Sequence, residues 1–532
     1  MDCTAQYTDY RQTGYFSALV TDYISGEELL TRFYKHPVSV AGIKSAIEAR
    51  KKYPTNRKLL VEVLTKQYAS ITTSDKVKAN IDKLLLENTF TITTAHQPNI
   101  LTGPLYFIYK ILHAIKLAEL LAAEMPGSAF VPVYYMGSED ADLDELGHVF
   151  INGEKHQWQT KQTGAVGRMK VDKALIKLID TIAGQVTPQP FGAAIIDVMK
   201  DCYKEGGTIE QATFKLVNEL FADYGLVILL PDNPLLKKAF VPVIEKELTA
   251  AFSHTIVAAT ATAFPKKYKV QASGREINLF YLLDDKRERI EKVNGKWSVV
   301  NSTTTFTDGE LKTELYNNPE RFSPNVILRP VFQELVLPNI AFIGGGGELA
   351  YWMELKNVFE AVGVPYPVLV LRNSFLFVEN NTAALASRLG FAITDLFKKE
   401  TELLNELVKR ETAVQLNLET EKQALINIYG QLKNISGAVD ASLTRHTEAL
   451  QVTALKKIAQ LEKKMLRAEK KKFEAQQRQL HKLKTVLFPT DNLQERIDNL
   501  IPYYAKRGSD FIKTIYDNSK GLEQEFGIVE AE

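Results

Sequence analysis

The chain has 532 residues, 45% of them hydrophobic, which is enough for a sizeable core in roughly two to four domains and excludes a disordered chain. Sixty-five Lys and Arg against 64 Asp and Glu leave a net charge of +1, so no global charge points to nucleic acid, a membrane surface or an acidic substrate. Two cysteines, Cys3 and Cys202, are too few for a disulfide framework, the first residues lack the order of a signal peptide, and Lys110, His113, Lys116 and Glu119 break the longest apolar stretch, so the expectation is a cytoplasmic protein with no membrane partner.

Residues 1–88 carry helical patterns such as SAIEARKKY and KLLVEVLTKQY and read as an N-terminal helical section packed on the core. From Phe90 the order becomes strand, helix, strand: FTITTAHQ, GPLYFIYKILHAIKLAELLAAE, FVPVYYMGSED, the βαβ signature of a parallel sheet. A second such unit lies at residues 337–375, where LPNIAFIGGGGELAYW precedes another helix and the strand PVLVLRNSF. The expected fold class is therefore α/β, with one parallel-sheet core over 89–380. Inserts near 150–225 and 262–320 interrupt it, and the strand-like LVILLPD is assigned with the inserted material. Beyond residue 380, Leu396, Leu403, Leu407, Val414, Leu418, Leu425 and Tyr429 follow an eleven-residue period, NISGAVD (434–440) signals a turn, and Val452, Ala459, Leu466, Phe473, Leu480 and Leu487 follow a heptad. This predicts an antiparallel coiled-coil hairpin over 381–490 that also offers a dimer surface, followed by a helical tail over 491–532 that folds back on the core.

Three stretches carry chemistry. In HQPNILTGPLY, Thr102 or Gly103 is placed to cap a helix whose first turn holds Pro104, so free N–H groups face the strand end where His96, Gln97 and Asn99 stand. Ordinary capping with a satisfied loop histidine would look the same. In SEDADLDEL, Glu139, Asp140, Asp142, Asp144 and Glu145, next to Ser138, put five carboxylates within seven residues. Such density calls for Mg2+, a substrate ammonium group, or Arg and Lys from elsewhere, unless it is simply a solvated helix start favoured by the helix dipole; His148 reads as structural. In GGGGELAYW, Gly344, Gly345, Gly346 and Gly347 precede Glu348, Tyr351 and Trp352, a loop that lets backbone approach a phosphate or carboxylate, or that simply packs tightly or takes positive φ. Arg329, Gln333 and Glu334 upstream and Arg372 with Ser374 downstream offer anion partners or structural ion pairs, and Arg275 and Asn278 form a separate polar island. Eleven Lys and Arg against three Glu between Lys456 and Lys484 make the second hairpin helix basic, but without interleaved aromatic residues it reads as a solvated face beside the acidic first helix, and no nucleic-acid partner is expected.

In combination and order, TAHQPNILTGPLYFIYKILHAIKLA, PVYYMGSEDADLDEL, LRPVFQELVLPNIAFIGGGGELAYWMELKNVFE and LKTVLFPTDNLQERI resemble the cysteine-adding enzymes of bacillithiol biosynthesis, the BshC cysteine ligase family, over essentially the full chain. That resemblance implies a Rossmann-like core related to class I nucleotidylyl transferases, with a coiled-coil hairpin and a homodimer. It also implies a ligase joining L-cysteine to the glucosamine amine of glucosaminyl malate. ATP is the implied activating agent, with Mg2+ as its companion, and no tightly bound cofactor is implied. It assigns catalysis to Glu139, Asp140 and His96. Substrate or nucleotide binding falls to Gln97, Asn99, Thr102, Gly103, Ser138, Asp142, Arg329, Gln333, Glu334, Gly344 to Gly347, Glu348, Tyr351, Trp352 and Arg372; whether a metal binds is left open. The chain departs from the family pattern at Ala95–His96, where Gly-Gln is common, at Ala141, where a His follows the Glu-Asp pair, and at Gly346, where a Pro is common. Another nucleotidylyl transferase or RNA-modifying enzyme, or a non-catalytic coiled-coil scaffold, are the alternatives.

Overall fold

The computed structural model describes residues 3–272 and 274–531. Two units emerge: one comprises Tyr15–Phe377 and Asn492–Ala531 with the N-terminal segment up to Arg11, the other Val378–Asp491 with Gln12–Gly14.

The first unit opens on a strand, β1 (Cys3–Thr8), within a section expected to be helical; it pairs antiparallel with the last strand of the chain, Cys3 opposite Ala531. A pairing partner more than 500 positions away leaves no local signal. Helices α1 (Val40–Lys51), α2 (Arg57–Tyr68) and α3 (Asp75–Lys83) follow, each started by a side chain that accepts a free N–H of the first turn: Ser39, Asn56 and Ser74. Strand β2 (Thr89–His96), helix α4 (Tyr106–Glu124) and strand β3 (Ala129–Met136) form the first βαβ unit, β2 and β3 running parallel from Thr89 opposite Ala129 to His96 opposite Met136.

An insert then leaves the sheet: the hairpin β4 (His148–Ile151) and β5 (Glu154–Gln157), with helices α5 (Lys173–Val186), α6 (Gly192–Cys202) and α7 (Ile209–Phe221), gathers its own core around Trp158, Met169, Ile182, Ile195 and Leu216. Strand β6 (Val227–Leu229) belongs to the central sheet, parallel to β3, and not to the inserts as its sequence suggested. Three residues buried on both faces carry no period by which to tell the two apart. Helix α8 (Pro234–Ala250) leads to a second insert of antiparallel strands, β7 (Leu279–Leu282), β8 (Arg287–Val293), β9 (Lys296–Val299), β10 (Thr305–Phe306) and β11 (Phe322–Pro324), in the order β10-β9-β8-β7-β11. Helix α9 (Arg329–Val336), strand β12 (Asn339–Gly344), helix α10 (Gly346–Val362) and strand β13 (Val368–Leu371) complete the parallel sheet, whose order is β13-β12-β2-β3-β6. From β2 the chain winds toward β6 and from β12 toward β13, so the winding direction reverses between β2 and β12. In open α/β sheets a ligand crevice forms at that reversal, beyond the strand C-termini.

After β14 (Ser374–Glu379) the second unit is helical: α11 (Glu400–Glu411), α12 (Glu419–Val439), α13 (Leu443–Lys470) and α14 (Glu474–Leu487). Helices α12 and α13 form the antiparallel hairpin, tied by Lys422 to Glu462 at 2.7 Å and by Lys433 to Glu448. The period that suggested one helix from Leu396 onward is broken between Glu411 and Glu419, where Thr412 turns to accept from Val414 and donate to Glu469. Residues 434–439 continue α12, and the turn falls at Asp440, whose carboxylate accepts the Ser442 N–H. The chain returns to the first unit through α15 (Leu500–Arg507), α16 (Ser509–Asp517) and β15 (Phe526–Ala531), the last joining β1 and β14 in a small sheet. Among the described residues no helix is long and apolar enough to cross a membrane.

Candidate active site

Beyond the C-terminal ends of β2 and β12, chain segments of the first unit that are distant in sequence come together. At the end of β2, His96 is fixed by its backbone carbonyl, which accepts from Gly137 N (2.8 Å) and from the Tyr134 hydroxyl (3.1 Å). Its ring lies 5.3 Å from the rings of both Tyr106 and Phe107, and its buried Nε2 has no hydrogen-bond partner among the described residues. Burial, reinforced by Lys110, Arg372 and Arg329, holds its pKa far below the usual imidazole range, so the ring is neutral at pH 7. The helix beyond this loop begins at Tyr106, not at Pro104, and neither Thr102 nor Gly103 caps it. Leu101, Thr102 and Gly103 instead take positive φ, and the Asn499 amide donates to the carbonyls of Leu101 (2.8 Å) and Gly103 (2.6 Å). A Cβ on Gly103 would stand 2.7 Å from Cβ of Asn99, whose buried Oδ1 also lacks a hydrogen-bond partner among the described residues.

Beside His96 stands a cationic pole. Lys110, 2% exposed within α4, donates to the Ala95 carbonyl at 3.0 Å and pairs with Glu348 from the first turn of α10. Glu348 also accepts the Gly345 N–H at 2.8 Å, which folds the glycine loop onto the helix start. Arg329 donates to the Tyr351 hydroxyl at 2.5 Å. Arg372, at the end of β13, forms a bidentate pair with Glu495 (2.9 and 2.7 Å), and Arg496 stands near it. Four cations thus face two carboxylates around a neutral histidine and the N-terminus of a 17-residue helix, a setting that favours an anion. The glycines serve this by leaving room: a Cβ on Gly344 would meet Phe342 at 2.8 Å and one on Gly346 would meet Val20 at 2.8 Å, while none of the four has positive φ.

Across β2, beyond β3, lies an acidic pole. Glu139, 8% exposed, pairs with Lys237 of α8, which also donates to the Phe322 carbonyl at 2.8 Å. Burial pushes the Glu139 carboxyl up against the pull of that lysine. Asp140 accepts from the Gln97 amide at 3.1 Å, and Asp232 holds Arg168 through two hydrogen bonds of 2.7 and 2.8 Å. The turn carrying Arg168 is locked to the β3 exit, with Val166 N donating to Asp140 O (2.7 Å) and Gly167 N to Ser138 O (2.9 Å). Glu210 of α7 adjoins Ser138; burial and the charge of Asp232 raise its pKa to about 8. Counter-charges from other segments, one of the options the acidic run left open, are what the fold supplies to Glu139.

Other expected site residues lie elsewhere. Glu334 is fully buried, paired with Arg50 at 2.8 Å and accepting from Asn339 and from Gln333, near the opposite end of β12. Helical spacing from Arg329 put these two on the crevice wall, but that spacing turns them into the core. Trp352 stacks on Phe342 with centroids 4.2 Å apart and is packing. Arg372 reaches the crevice by position, but its guanidinium is occupied by Glu495. Asp142 is a local cap, its carboxylate accepting Glu145 N at 3.0 Å at the start of the short helix Leu143–Leu146, and Asp144 meets His148 Nδ1 at 2.8 Å through its backbone carbonyl. Asn278 belongs to a buried network with Ser253 and Glu247, which the exposed Arg275 joins only through its backbone N–H and carbonyl. Sequence reasoning missed Lys110, Arg168, Glu210, Asp232 and Lys237 as site residues. The available signal was a lysine inside an apolar helix face, at Lys110 in FIYKILHAI and at Lys237 in LLKKAFVPV, since a cation is buried only with a partner. Among the described residues no three His, Cys, Asp or Glu side chains are grouped so as to hold a metal ion.

Comparison with known proteins agrees with this architecture. Residues 2–373 match the family described as Bacillithiol biosynthesis BshC, N-terminal Rossmann-like domain, and residues 375–531 match Bacillithiol biosynthesis BshC, C-terminal coiled-coil domain. The chain is 38% identical over 522 residues to a Flavobacterium johnsoniae protein named "Putative cysteine ligase BshC", covering 98% of each chain. Proteins of the same name from Christiangramia forsetii (36% identity, 98% of each chain) and Bacillus cytotoxicus (26% identity, 94% of this chain and 96% of that one) are also similar. Two domain matches spanning nearly the whole length, on a Rossmann-like core followed by a helical hairpin, place the chain in the BshC family of bacillithiol biosynthesis.

Proposed function

We propose that this chain is the cysteine ligase of bacillithiol synthesis, forming the amide bond between the carboxyl group of L-cysteine and the glucosamine nitrogen of glucosaminyl malate. The observation that carries the reading is the two-pole crevice at the sheet's reversal point: a cationic pole fit for carboxylate or phosphate next to an acidic pole fit for an amine. A carboxylate and an ammonium group do not condense in water, so the acid needs activation. ATP is the activating agent in this reading; when bound, it supplies that chemistry, its phosphates held by Lys110, Arg329, the 344–347 loop and the start of α10, with any Mg2+ arriving on the phosphates. Lys110 and Arg329 balance charge on the acyl side, and the neutral His96 offers Nε2 to a polar group of the substrate. Gln97, Asn99, Thr102 and Ser138 orient the ligands in the same crevice. Glu139, with Asp140 beside it, accepts the proton that the nitrogen must lose before it attacks.

The active form is a cytoplasmic homodimer joined through the hairpin. Ile428, Leu432, Ile435 and Val439 of α12, spaced along one helix face, and Leu450 and Leu461 on one face of α13 are 45–79% exposed, apolar surface that a second copy would cover. The test is direct: purified protein with L-cysteine, glucosaminyl malate and ATP is expected to give bacillithiol, detected by mass spectrometry, and to give none without ATP. Absence of product in the full mixture overturns the ligase reading; product without ATP overturns only the activation step.

A further inference from the structure

A lysine in the first turn of a helix stands against the positive end of the helix dipole, and a fully buried lysine is costly unless it is paired. Lys237 bears both costs: Pro234 opens α8 behind the Asn233 cap, and Lys237, three residues on, is 0% exposed, while Lys238 beside it is exposed. What offsets them is Glu139. Lys237 Nζ donates to Oε1 of that carboxylate and, at 2.8 Å, to the Phe322 carbonyl of β11. Among the described residues it is the one cation paired with Glu139. Oε2 of Glu139 accepts no hydrogen bond among the described residues, and the side chain keeps 10% of its surface exposed. One oxygen is held and the other is free. The neighbouring cations are committed elsewhere, Arg168 to Asp232 and Arg287 to the Ser323 hydroxyl (3.1 Å) and the Pro324 carbonyl (3.2 Å). Asp232 and Glu210 also face Glu139, with Asp140 next in the chain, and these like charges oppose its ionisation.

We propose that Lys237 is a positioning residue for amide formation: it fixes one oxygen of Glu139, keeps the carboxylate ionised, and leaves Oε2 to take the proton of the amine substrate. This rests on the reading of Glu139 as the proton acceptor. A buried carboxyl tends to its neutral form, which cannot act as a base, and a fixed ammonium against it opposes that tendency. The substrate ammonium gives one proton to Oε2 and becomes a free amine. Its lone pair forms the C–N bond to the activated cysteine carbonyl as the bond from that carbon to its activating group breaks, and the departing group takes the electron pair and the second proton of the nitrogen. Glu139 is then a neutral acid beside a fixed cation, which makes it a stronger acid. It releases its proton to solvent through the exposed oxygen, and the charged pair is restored. The second bond of Lys237, to Phe322, ties the second insert to the same carboxylate.

K237M keeps the length and apolar stem of the side chain without its charge, and K237Q keeps a donor for the Phe322 carbonyl as well. The pH dependence of kcat/KM for glucosaminyl malate, measured on the full-length protein with L-cysteine and ATP, is expected to show an acid limb about 1–3 pH units higher in both variants than in the wild type, the difference closing as the pH rises. E139Q is expected to lose about a hundredfold or more without recovery at high pH. An acid limb unmoved in both lysine variants, with the rate lowered evenly across the pH range, makes Lys237 a structural partner only and overturns the proposal. Infrared titration of the free protein needs no substrate. The protonated carboxyl that is missing in E139Q is expected to persist to a pH about 1–3 units higher in K237M than in the wild type, and equal midpoints overturn the proposal. If E139Q is as active as the wild type, Glu139 is not the proton acceptor and the proposal falls with that reading. If the wild type gives no ligation, the ligase reading fails, and the infrared midpoints alone decide whether Lys237 keeps the carboxyl ionised.

Discussion

His113 shows how much one buried side chain reveals once its partners are known. Its Nε2 meets the Gly521 carbonyl at 2.7 Å and its Nδ1 accepts the Asn373 N–H at 3.0 Å, which fixes a neutral ring with the proton on Nε2. Burial lowers its pKa to about 4. A base with a depressed folded-state pKa contributes stability that is complete above about 6.5 and is lost as the pH falls toward 4, because the unfolded chain takes the proton first. The loss between pH 7 and 4.5 amounts to about 2–3 kcal/mol from this one ring. Denaturant unfolding at the two pH values is expected to show a pH-dependent loss smaller by about that amount in H113N, and an unchanged loss would remove His113 from the account. Arg372 and Glu495 make the complementary case. R372M leaves Glu495 buried without its cation and is expected to cost about 3–5 kcal/mol, whereas R372M combined with E495L recovers most of that, because an apolar pair replaces a desolvated ion pair at little net cost. A double variant no more stable than the single one would show that the pair is needed for more than mutual neutralisation. At this scale the sequence was partly legible. His96, Glu139 and Glu348 were read from their position after strands and Arg329 from the helix before the glycine loop, but Lys110 and Lys237, the partners of Glu348 and Glu139, come from distant turns and were visible only as lysines in apolar surroundings.

The loop from Gln97 to Leu105 shows what element-level patterns conceal. A Thr-Gly-Pro sequence before an apolar run is a fair cap signal, yet the helix starts two residues beyond Pro104 and the preceding residues coil through positive φ. Asn499, nearly 400 positions later, satisfies the carbonyls this coil exposes, a partner that no local window contains. Gly103 is required twice, by φ of +61° and by the 2.7 Å approach that a Cβ would make to Asn99. G103A is therefore expected to displace Asn99 from the crevice and lower kcat/KM of ligation by about tenfold or more, the equivalent of the ~1–2 kcal/mol strain of a non-glycine residue in this conformation. Activity within twofold of wild type would show that the loop does not touch the substrate. By contrast β2, β3, β12 and β13 were readable because two pairs of runs buried on both faces, each pair joined by a helix, leave few arrangements other than a parallel sheet. Strands β1 and β15 were missed because they pair only across the length of the chain, and β6 was read as a strand but given to the inserts because three residues carry no sign of which sheet they join.

On the scale of the whole molecule, the chain leaves the first unit near Phe377 and re-enters it near Asn492, and the returning segment brings Glu495, Asn499 and β15. The two ends of the chain are therefore not equivalent to the hairpin between them. Truncation at residue 491 removes the counter-charge of Arg372, the clamp on the 101–103 coil and the strand paired to β1, and is expected to leave the Rossmann-like unit unfolded. Replacing residues 412–475 with a short flexible linker removes only α12, α13 and the turn at 471–473, in which Thr447 and Glu469 are the only buried residues. That variant is expected to keep the cooperative unfolding of the first unit and to run as a monomer in analytical ultracentrifugation, since the exposed apolar surface from Ile428 to Leu461 is gone. If it still sediments as a dimer, the association surface lies on the first unit. If it fails to fold while the truncation at 491 folds, the hairpin and not the returning segment is what completes the core, against the pairing of β1 with β15 and of Arg372 with Glu495.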